Sequence, residues 1–92
     1  MYFVYVLLCS DGSFYTGISN NLPQRFSDHR KGVGGAYTRS HPPVRIIYQK
    51  ELPDKSSALR REAQIKSWNR QKKIDVLKLR GYGVQRGNKT HH

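Results

Sequence analysis

The sequence is poor in cysteine and in long hydrophobic runs. Its single cysteine, Cys9, excludes an internal disulfide. A basic chain without disulfides is typical of a reducing compartment, so we expect a cytoplasmic protein. The apolar segment YFVYVLLC (2–9) is too short to cross a membrane and is not preceded by the basic segment of a signal peptide. These absences argue against a disulfide scaffold and against a membrane partner.

Acidic residues are also scarce. The chain has 6 Asp and Glu against 17 Lys and Arg, which gives a formal net charge of +11 with His neutral. The positive electrostatic field of such a chain attracts polyanions, because each neutralised phosphate releases condensed counterions. We therefore predict a nucleic-acid partner, either DNA or RNA. No small-molecule cofactor is indicated, since GVGG (32–35) lacks the GK[ST] of a phosphate-binding loop.

Apolar periodicity and turn residues divide the chain into elements. Three β-rich segments predict strands, at 2–8, 13–18 and 44–52. Capping and terminating residues predict three helices, from Asn21 to Gly32, from Asp54 or Ser56 to about Asn69, and over 71–81. The order ββαβαα predicts an α+β domain over 1–80, a three-stranded antiparallel β-sheet flanked by helices. Residues 33–43 are expected to form a basic loop, and residues 81–92 a flexible basic tail.

The first two strands raise the question of whether two tyrosines lie side by side. A two-residue loop at 11–12 would place Tyr5 and Tyr15 on opposite faces of the sheet. A three-residue loop at 10–12 would pair Tyr5 with Gly17 and bring both phenols to one face. In that register the glycine would leave room beside the Tyr5 ring for a substrate or a water. The sequence leaves both loops open.

Two polar residues of the first predicted helix lie beside its apolar stripe. Arg25 and His29 are four residues apart and share a face, next to Leu22 and Phe26. An arginine there could bind a phosphate through two N–H groups, and a histidine could accept or donate a proton. The alternative is a surface arginine and a histidine at the rim of the core.

The second long helix has a glutamate within its apolar stripe. Glu62 lies among the apolar positions Ala58, Leu59, Ala63, Ile65 and Trp68. A carboxylate directed at a core is costly unless a cation, a metal or hydrogen bonds compensate its charge. It is therefore either part of an ion pair with Arg25 or Lys66, or a ligand for a hard divalent ion such as Mg²⁺. No Cys and His spacing supports zinc.

Basic and aromatic residues outside these helix faces are candidates for binding the nucleic-acid backbone. Those that we predict to bind nucleic acid are Arg30, Lys31, Tyr37, Arg39, Lys66, Arg70, Lys72 and Lys73. Trp68 lies among several of these cations, but its place on the apolar stripe favours packing over base stacking.

Five segments together resemble a known family. They are, in order, VYV (4–6), YTG (15–17), NLPQRFSDH (21–29), GGAYTR (34–39) and ALRREAQIKSW (58–68). Their order and spacing resemble the GIY-YIG nuclease superfamily, and most closely its small stand-alone UPF0213 group. The resemblance covers residues 2–79 and implies a three-stranded antiparallel sheet flanked by helices.

The resemblance also implies roles for matched residues. Tyr5 and Tyr15 correspond to the tyrosines of the two signature halves, and Gly17 corresponds to the signature glycine. Arg25 corresponds to the helix arginine that contacts the scissile phosphate. Glu62 corresponds to the single metal-binding glutamate.

The implied activity is that of a metal-dependent endonuclease. A phenol has an ordinary pKa of about 10, so a tyrosine base needs help from Arg25 and a bound metal. We assign Tyr5 as the general base on the attacking water and Tyr15 as the group that positions it, with the reverse assignment open. Arg25 would stabilise the charge at phosphorus, Glu62 would hold one Mg²⁺ or Mn²⁺ ion, and His29 would relay or donate a proton.

Two departures from the family pattern define the alternatives. Phe3 stands where the signature has glycine, and no asparagine follows Glu62 at the family's distance, because Asn69 comes too early. The alternative function is therefore a catalytically weak or inactive nucleic-acid-binding module of the same fold. A third is a protein-interaction domain that binds an acidic partner through its charge.

Overall fold

A computed structural model describes residues 1–79. Its strands are β1 (Tyr2–Cys9), β2 (Phe14–Ser19) and β3 (Pro43–Leu52), and its helices are α1 (Leu22–Arg30), α2 (Ala36–Ser40), α3 (Lys55–Lys66) and α4 (Arg70–Leu77). The strands form one antiparallel sheet in the order β2-β1-β3. The predicted α+β fold is confirmed, with α2 as an additional helix. The tail predicted over 81–92 lies outside the described residues.

The β1–β2 hairpin has the three-residue loop. Two backbone hydrogen bonds of 2.9 Å close it, from the Cys9 N–H to the Ser13 carbonyl and from the Gly12 N–H to the Cys9 carbonyl. Gly12 has a φ of +87°, the left-handed conformation that favours glycine. Tyr5 consequently pairs with Gly17, and both phenols project from the same face of the sheet.

Helices cover both faces of the central strand. Val4, Tyr5, Val6 and Leu7 are each no more than 1% exposed, which confirms a strand buried on both faces. The face that carries Tyr5 and Leu7 packs against α1, and the face that carries the two valines packs against α3 and α4. None of the four helices described is both long and apolar enough to cross a membrane.

The predicted start of α1 is confirmed, whereas α2 lies inside a segment that was expected to be a loop. Asn21 caps α1 by accepting a hydrogen bond from the Gln24 N–H, and Pro23 occupies the first turn. The short helix α2 begins after Gly35, whose φ of +143° is one that other residues rarely adopt. Because this helix has few residues, tertiary contacts determine it more than periodicity does.

The predicted ends of the last two helices are wrong. Helix α3 begins at the predicted cap Asp54 but ends at Lys66, because Asn69 caps the next helix by accepting from the Lys72 N–H at 2.8 Å. Helix α4 ends at Leu77 and not at residue 81. Lys78 adopts a left-handed conformation there, and Leu79 turns back into the core, where it is 3% exposed.

The buried face of α3 is narrower than predicted. Ala58 and Ile65 are fully buried, but Leu59 is 45% exposed and Ala63 is exposed as well. Glu62 lies between the two buried positions and is half-buried. The helix packs chiefly against β1 and β2, the strands that carry Tyr5 and Tyr15.

Candidate active site

Tyr5 lies at the centre of the candidate site and is almost completely buried. Its ring covers Gly17, because a Cβ on that glycine would lie 2.6 Å from the Tyr5 Oη and 3.2 Å from a ring carbon of Tyr15. The expectation that the glycine leaves room for a substrate is therefore wrong, since the phenol itself fills the space. Any larger residue at position 17 would displace Tyr5.

His29 contacts Tyr5 from helix α1. Its side chain is fully buried, and its Nε2 forms a 2.9 Å hydrogen bond with the Tyr5 Oη. Its Nδ1 forms a second buried hydrogen bond of 2.8 Å with the Thr38 Oγ1. Burial, assisted by the Arg25 charge, holds the pKa of His29 below its ordinary value. The imidazole is therefore neutral at neutral pH, with one nitrogen donating and the other accepting.

Gly34 contacts both polar residues of α1, His29 and Arg25. A Cβ on Gly34 would lie 2.5 Å from the His29 Nδ1 and 3.0 Å from the His29 Cα, so no side chain fits there. The Gly34 carbonyl accepts a 2.8 Å hydrogen bond from Arg25 Nη2. This glycine thus positions the guanidinium and the imidazole from one point of the chain.

The hydroxyl of Tyr5 is not readily ionised in this environment. Burial raises the pKa of Tyr5 to about 12, with Tyr15 acting in the same direction. Arg25 opposes this shift, and the negative charge of Glu62 adds a small increase. The phenol of Tyr5 is therefore close enough to both Arg25 and Glu62 to respond to their charges, which brings four of the predicted residues into one electrostatic cluster.

Tyr15 presents the accessible phenol. Its ring centroid lies 6.5 Å from that of Tyr5 and 5.1 Å from that of His29, and the side chain is half-buried. Within residues 1–79 its hydroxyl makes no hydrogen bond, and it is not among the buried polar atoms left without a partner, so at least part of the hydroxyl is accessible to solvent. Of the two signature tyrosines, Tyr15 is the one that an incoming substrate can reach.

Tyr37 packs against the outer side of Tyr15. The two rings are stacked with centroids 5.8 Å apart, and His41 stacks on Tyr37 at 4.3 Å. The Tyr37 hydroxyl donates a 2.6 Å hydrogen bond to the Ser13 Oγ, which itself donates to Asp11 at 2.6 Å. These contacts fasten α2 to the hairpin loop, and they leave Tyr37 39% exposed at the entrance to the site.

Glu62 can hold a hydrated divalent ion. Its side chain is 19% exposed, and its Oε2 lies 3.2 Å from the Nζ of Lys66, one of the two ion-pair partners that the sequence left open. The lysine is 54% exposed and can move away from the carboxylate. Residues 1–79 contain no group of three or more His, Cys, Asp or Glu that could surround a metal. A single carboxylate suits Mg²⁺ or Mn²⁺, which retain several waters, and does not suit zinc.

The other five acidic residues of the chain are exposed or serve local structure. They are Asp11, bonded to Ser13; Asp28, bonded to Gln24; Asp54, the cap of α3; Asp75, bonded to Gln71; and Glu51, exposed on β3. Of the six acidic residues, Glu62 is the one whose charge raises the pKa of Tyr5.

The predicted nucleic-acid-binding residues form two groups on opposite sides of the sheet. Arg30, Lys31, Tyr37 and Arg39 lie on or after α1 and α2, whereas Lys66, Arg70, Lys72 and Lys73 lie on α3 and α4. All four residues of the first group are exposed, and so are Lys66 and Lys72 of the second. Burial lowers the pKa of Lys73, as do the charges of Lys66 and Arg70. The structure does not gather these eight side chains into one patch.

Arg70 has a structural role in the fold. Its Nη1 donates a 2.8 Å hydrogen bond to the Gly12 carbonyl, and its guanidinium lies 4.0 Å from the centroid of the Phe14 ring. It thereby joins α4 to the hairpin loop. Lys72 is placed 5.4 Å from the Trp68 ring centroid, and Arg30 is 5.9 Å from that of Phe26.

The two residues that mark the departures from the family pattern, Phe3 and Asn69, lie outside the candidate site. Phe3 lines an apolar groove of about 390 Å³ between α1 and β3, and none of the candidate site residues lines this groove. Asn69 is engaged as the cap of α4, as described above. Neither residue enters the cluster around Tyr5.

Sequence reasoning missed Thr38 and Gly34. Both lie in a segment that was expected to be a loop, where no periodicity assigns a side chain to the interior. A GG pair before a short helix was a signal for close backbone approach, but nothing in the sequence identified His29 as the residue approached.

The chain matches known proteins over most of its length. Residues 1–75 match the family described as the GIY-YIG catalytic domain. UPF0213 proteins of Staphylococcus aureus strains Mu50 and NCTC 8325 are each 44% identical over 79 residues, which span 86% of this chain and 96% of the relative.

Two solved structures are similar to the fold described here. The solution NMR structure of the UPF0213 protein BH0048 from Bacillus halodurans is 35% identical, with a TM-score of 0.56 over 99% of this chain and 98% of that one. The solution NMR structure of EF2693 from E. faecalis is 30% identical, with a TM-score of 0.54 over 99% and 90%. The chain therefore belongs to the GIY-YIG nuclease family, and its relatives are UPF0213 proteins.

Proposed function

We propose that this protein is a metal-dependent endonuclease that hydrolyses phosphodiester bonds of nucleic acid, with DNA favoured. The observation that carries the proposal is the position of the half-buried Tyr15 ring beside the buried Tyr5–His29 pair, in which Tyr5 also interacts with Arg25. A net charge of +11 on 92 residues supports a polyanionic substrate. Members of the family are nucleases that depend on divalent metals, which agrees with the single half-buried carboxylate of Glu62.

The two tyrosines have different environments and therefore different roles. The hydroxyl of Tyr5 is buried, already bonded to His29, and its pKa is raised to about 12. These properties make Tyr5 a poor base for a water that arrives with the substrate. We therefore favour the reverse of the first assignment: Tyr15 accepts the proton of the attacking water, and Tyr5 supports Tyr15 and Arg25 from below.

Arg25 would bind the scissile phosphate. One of its N–H groups is bonded to the Gly34 carbonyl and the guanidinium also interacts with the Tyr5 hydroxyl, so three of its five N–H donors remain for phosphate oxygens. The side chain is half-buried, where a charge interacts more strongly than in open water. It would stabilise the negative charge that develops at phosphorus during in-line attack.

Glu62 would hold one Mg²⁺ or Mn²⁺ ion after Lys66 releases the carboxylate. The ion would supply positive charge to the leaving 3′ oxygen. The exposed cations of α1 and of α3–α4 would hold the nucleic-acid backbone on either side of the cut. His29 stays neutral and buried, and it holds the Tyr5 hydroxyl in place.

A nucleic-acid-binding module without catalysis is the second candidate. It is favoured by the use of Asn69 as a helix cap, which leaves no other asparagine between Glu62 and residue 79 for the role the family gives it. Such a module would keep salt-sensitive binding and would need neither Tyr15 nor Glu62.

Incubation of purified protein with supercoiled, branched and single-stranded DNA separates the two candidates. We expect cleavage of at least one substrate in Mg²⁺ or Mn²⁺, and its complete loss when EDTA is added. Binding measured in parallel should survive EDTA and weaken with salt. Binding to all three substrates without cleavage of any would favour the second candidate.

A further inference from the structure

We propose that Thr38 is a positioning residue that fixes which nitrogen of His29 carries the proton, and thereby directs the Tyr5 hydroxyl. This inference rests on the proposed nuclease function for its effect on rate. The proton arrangement itself can be measured without any activity. Thr38 belongs to a segment that sequence reasoning treated as a loop, and no role was assigned to it.

The three side chains form a buried chain of hydrogen bonds. Thr38, His29 and Tyr5 are each no more than 1% exposed, so water does not substitute for any of the partners. The Thr38 Oγ1 lies 2.8 Å from the His29 Nδ1, and the Tyr5 Oη lies 2.9 Å from the His29 Nε2. A neutral imidazole has one N–H and one bare nitrogen, so the two bonds must run in the same direction along the chain.

Tyr5 favours one direction, and the Thr38 hydroxyl supplies the acceptor that this direction requires at Nδ1. The phenolic proton of Tyr5 needs an acceptor, and Arg25, the other residue with which the Tyr5 hydroxyl interacts by hydrogen bonding, offers only donors. The His29 Nε2 therefore accepts from Tyr5, and the Nδ1 carries the proton that it donates to Thr38. With its own proton directed at His29, the Tyr5 oxygen keeps its lone pairs for the guanidinium of Arg25. Thr38 thus acts on the phosphate-binding arginine through two intermediate side chains.

Helix α2 is held firmly enough to play this part. The Tyr37 hydroxyl fastens it to Ser13 of the hairpin loop, and the preceding Gly34 contacts His29 directly. The Thr38 hydroxyl is therefore presented to the imidazole by a segment that is held at Gly34 and at Tyr37. Within residues 1–79, the Thr38 hydroxyl makes no hydrogen bond other than the one to His29.

Long-range ¹H–¹⁵N correlation spectra of the imidazole groups test the proposal in the full chain at neutral pH. The signals of His29 are assigned by their loss in His29→Gln. We expect the wild-type ring to be protonated at Nδ1. Thr38→Val removes the acceptor while keeping the shape, so the proton should move to Nε2; Thr38→Ser should retain the wild-type pattern.

Cleavage rates provide the second readout. Thr38→Val should lower the rate by about 10- to 100-fold, the range seen when a group that orients a functional histidine is removed. Thr38→Ser should restore most of it. Thr16→Val is the matched control, because the Thr16 hydroxyl is buried and has no hydrogen-bond partner among residues 1–79, and it should change neither the spectrum nor the rate.

The wild-type spectrum alone can overturn the proposal. A ring protonated at Nε2, or a Thr38→Val spectrum like that of wild type, would contradict it. If Thr38→Val does not fold, the wild-type and Thr38→Ser spectra still decide. Absence of cleavage by the wild type would contradict the nuclease function and leave the proton arrangement testable by the same spectra.

Discussion

Tyr15→Phe should lower the single-turnover rate of DNA cleavage by about 10²- to 10⁴-fold, the contribution typical of a general acid or base. The substitution removes a hydroxyl that makes no hydrogen bond within residues 1–79. The ring keeps its stacking on Tyr37, so the fold and DNA affinity should change little. The measurement is the cleavage rate at saturating enzyme, with affinity determined separately in Ca²⁺ or EDTA.

Two further variants make this prediction specific. Tyr48→Phe is the matched control, because Tyr48 is also half-buried but packs in the core on the other face of the sheet; it should retain the wild-type rate. Tyr5→Phe should reduce the rate less than Tyr15→Phe, since Tyr5 is buried away from the substrate. A Tyr15→Phe enzyme as fast as wild type, or a Tyr5→Phe enzyme slower than Tyr15→Phe, would reject Tyr15 as the base.

Glu62→Gln should remove metal-dependent cleavage almost completely. The substitution keeps the size of the side chain but removes the carboxylate charge that would bind a divalent ion. A bound metal contributes several kcal/mol to the transition state, and about 1.4 kcal/mol corresponds to a factor of ten, so a loss of about three orders of magnitude is expected. DNA binding should be unchanged or tighter, because the variant is more positively charged.

Glu51→Gln is the charge-matched control for Glu62→Gln. Glu51 is exposed on β3 and has no place in the candidate site, so its loss should leave the rate and the metal requirement as in wild type. Titration with Mg²⁺ and with Mn²⁺ should show saturation for wild type and for Glu51→Gln. Equal rates for Glu62→Gln and Glu51→Gln would show that Glu62 does not hold the catalytic metal.

The fold followed largely from local signals in the sequence. The run at 2–8 predicted a strand with both faces buried, and it became the central strand because helices pack on both sides. The caps Asn21 and Asp54 were recognised because side-chain oxygens there satisfy free N–H groups. The end of α4 was missed because Lys78, and not a glycine, takes the left-handed conformation.

The sequence predicted which residues belong to the candidate site better than it predicted what each of them does. The family resemblance selected both tyrosines, Arg25 and Glu62, but the hairpin register needed the structure, since a loop of either length was compatible with the sequence. Burial then distinguished the tyrosines, because α1 covers Tyr5 and leaves Tyr15 at the rim. That coverage depends on contacts between distant segments, which local patterns do not encode.

Cooperation between Tyr15 and Glu62 is the central claim, and the cleavage rate of the double variant Tyr15→Phe/Glu62→Gln tests it most directly. Groups that act on one transition state as a unit lose most of their joint effect when either is removed. The double variant should therefore be about as slow as the slower single variant. Losses that multiply in full would mean that the phenol and the carboxylate act independently, which would contradict a shared active site.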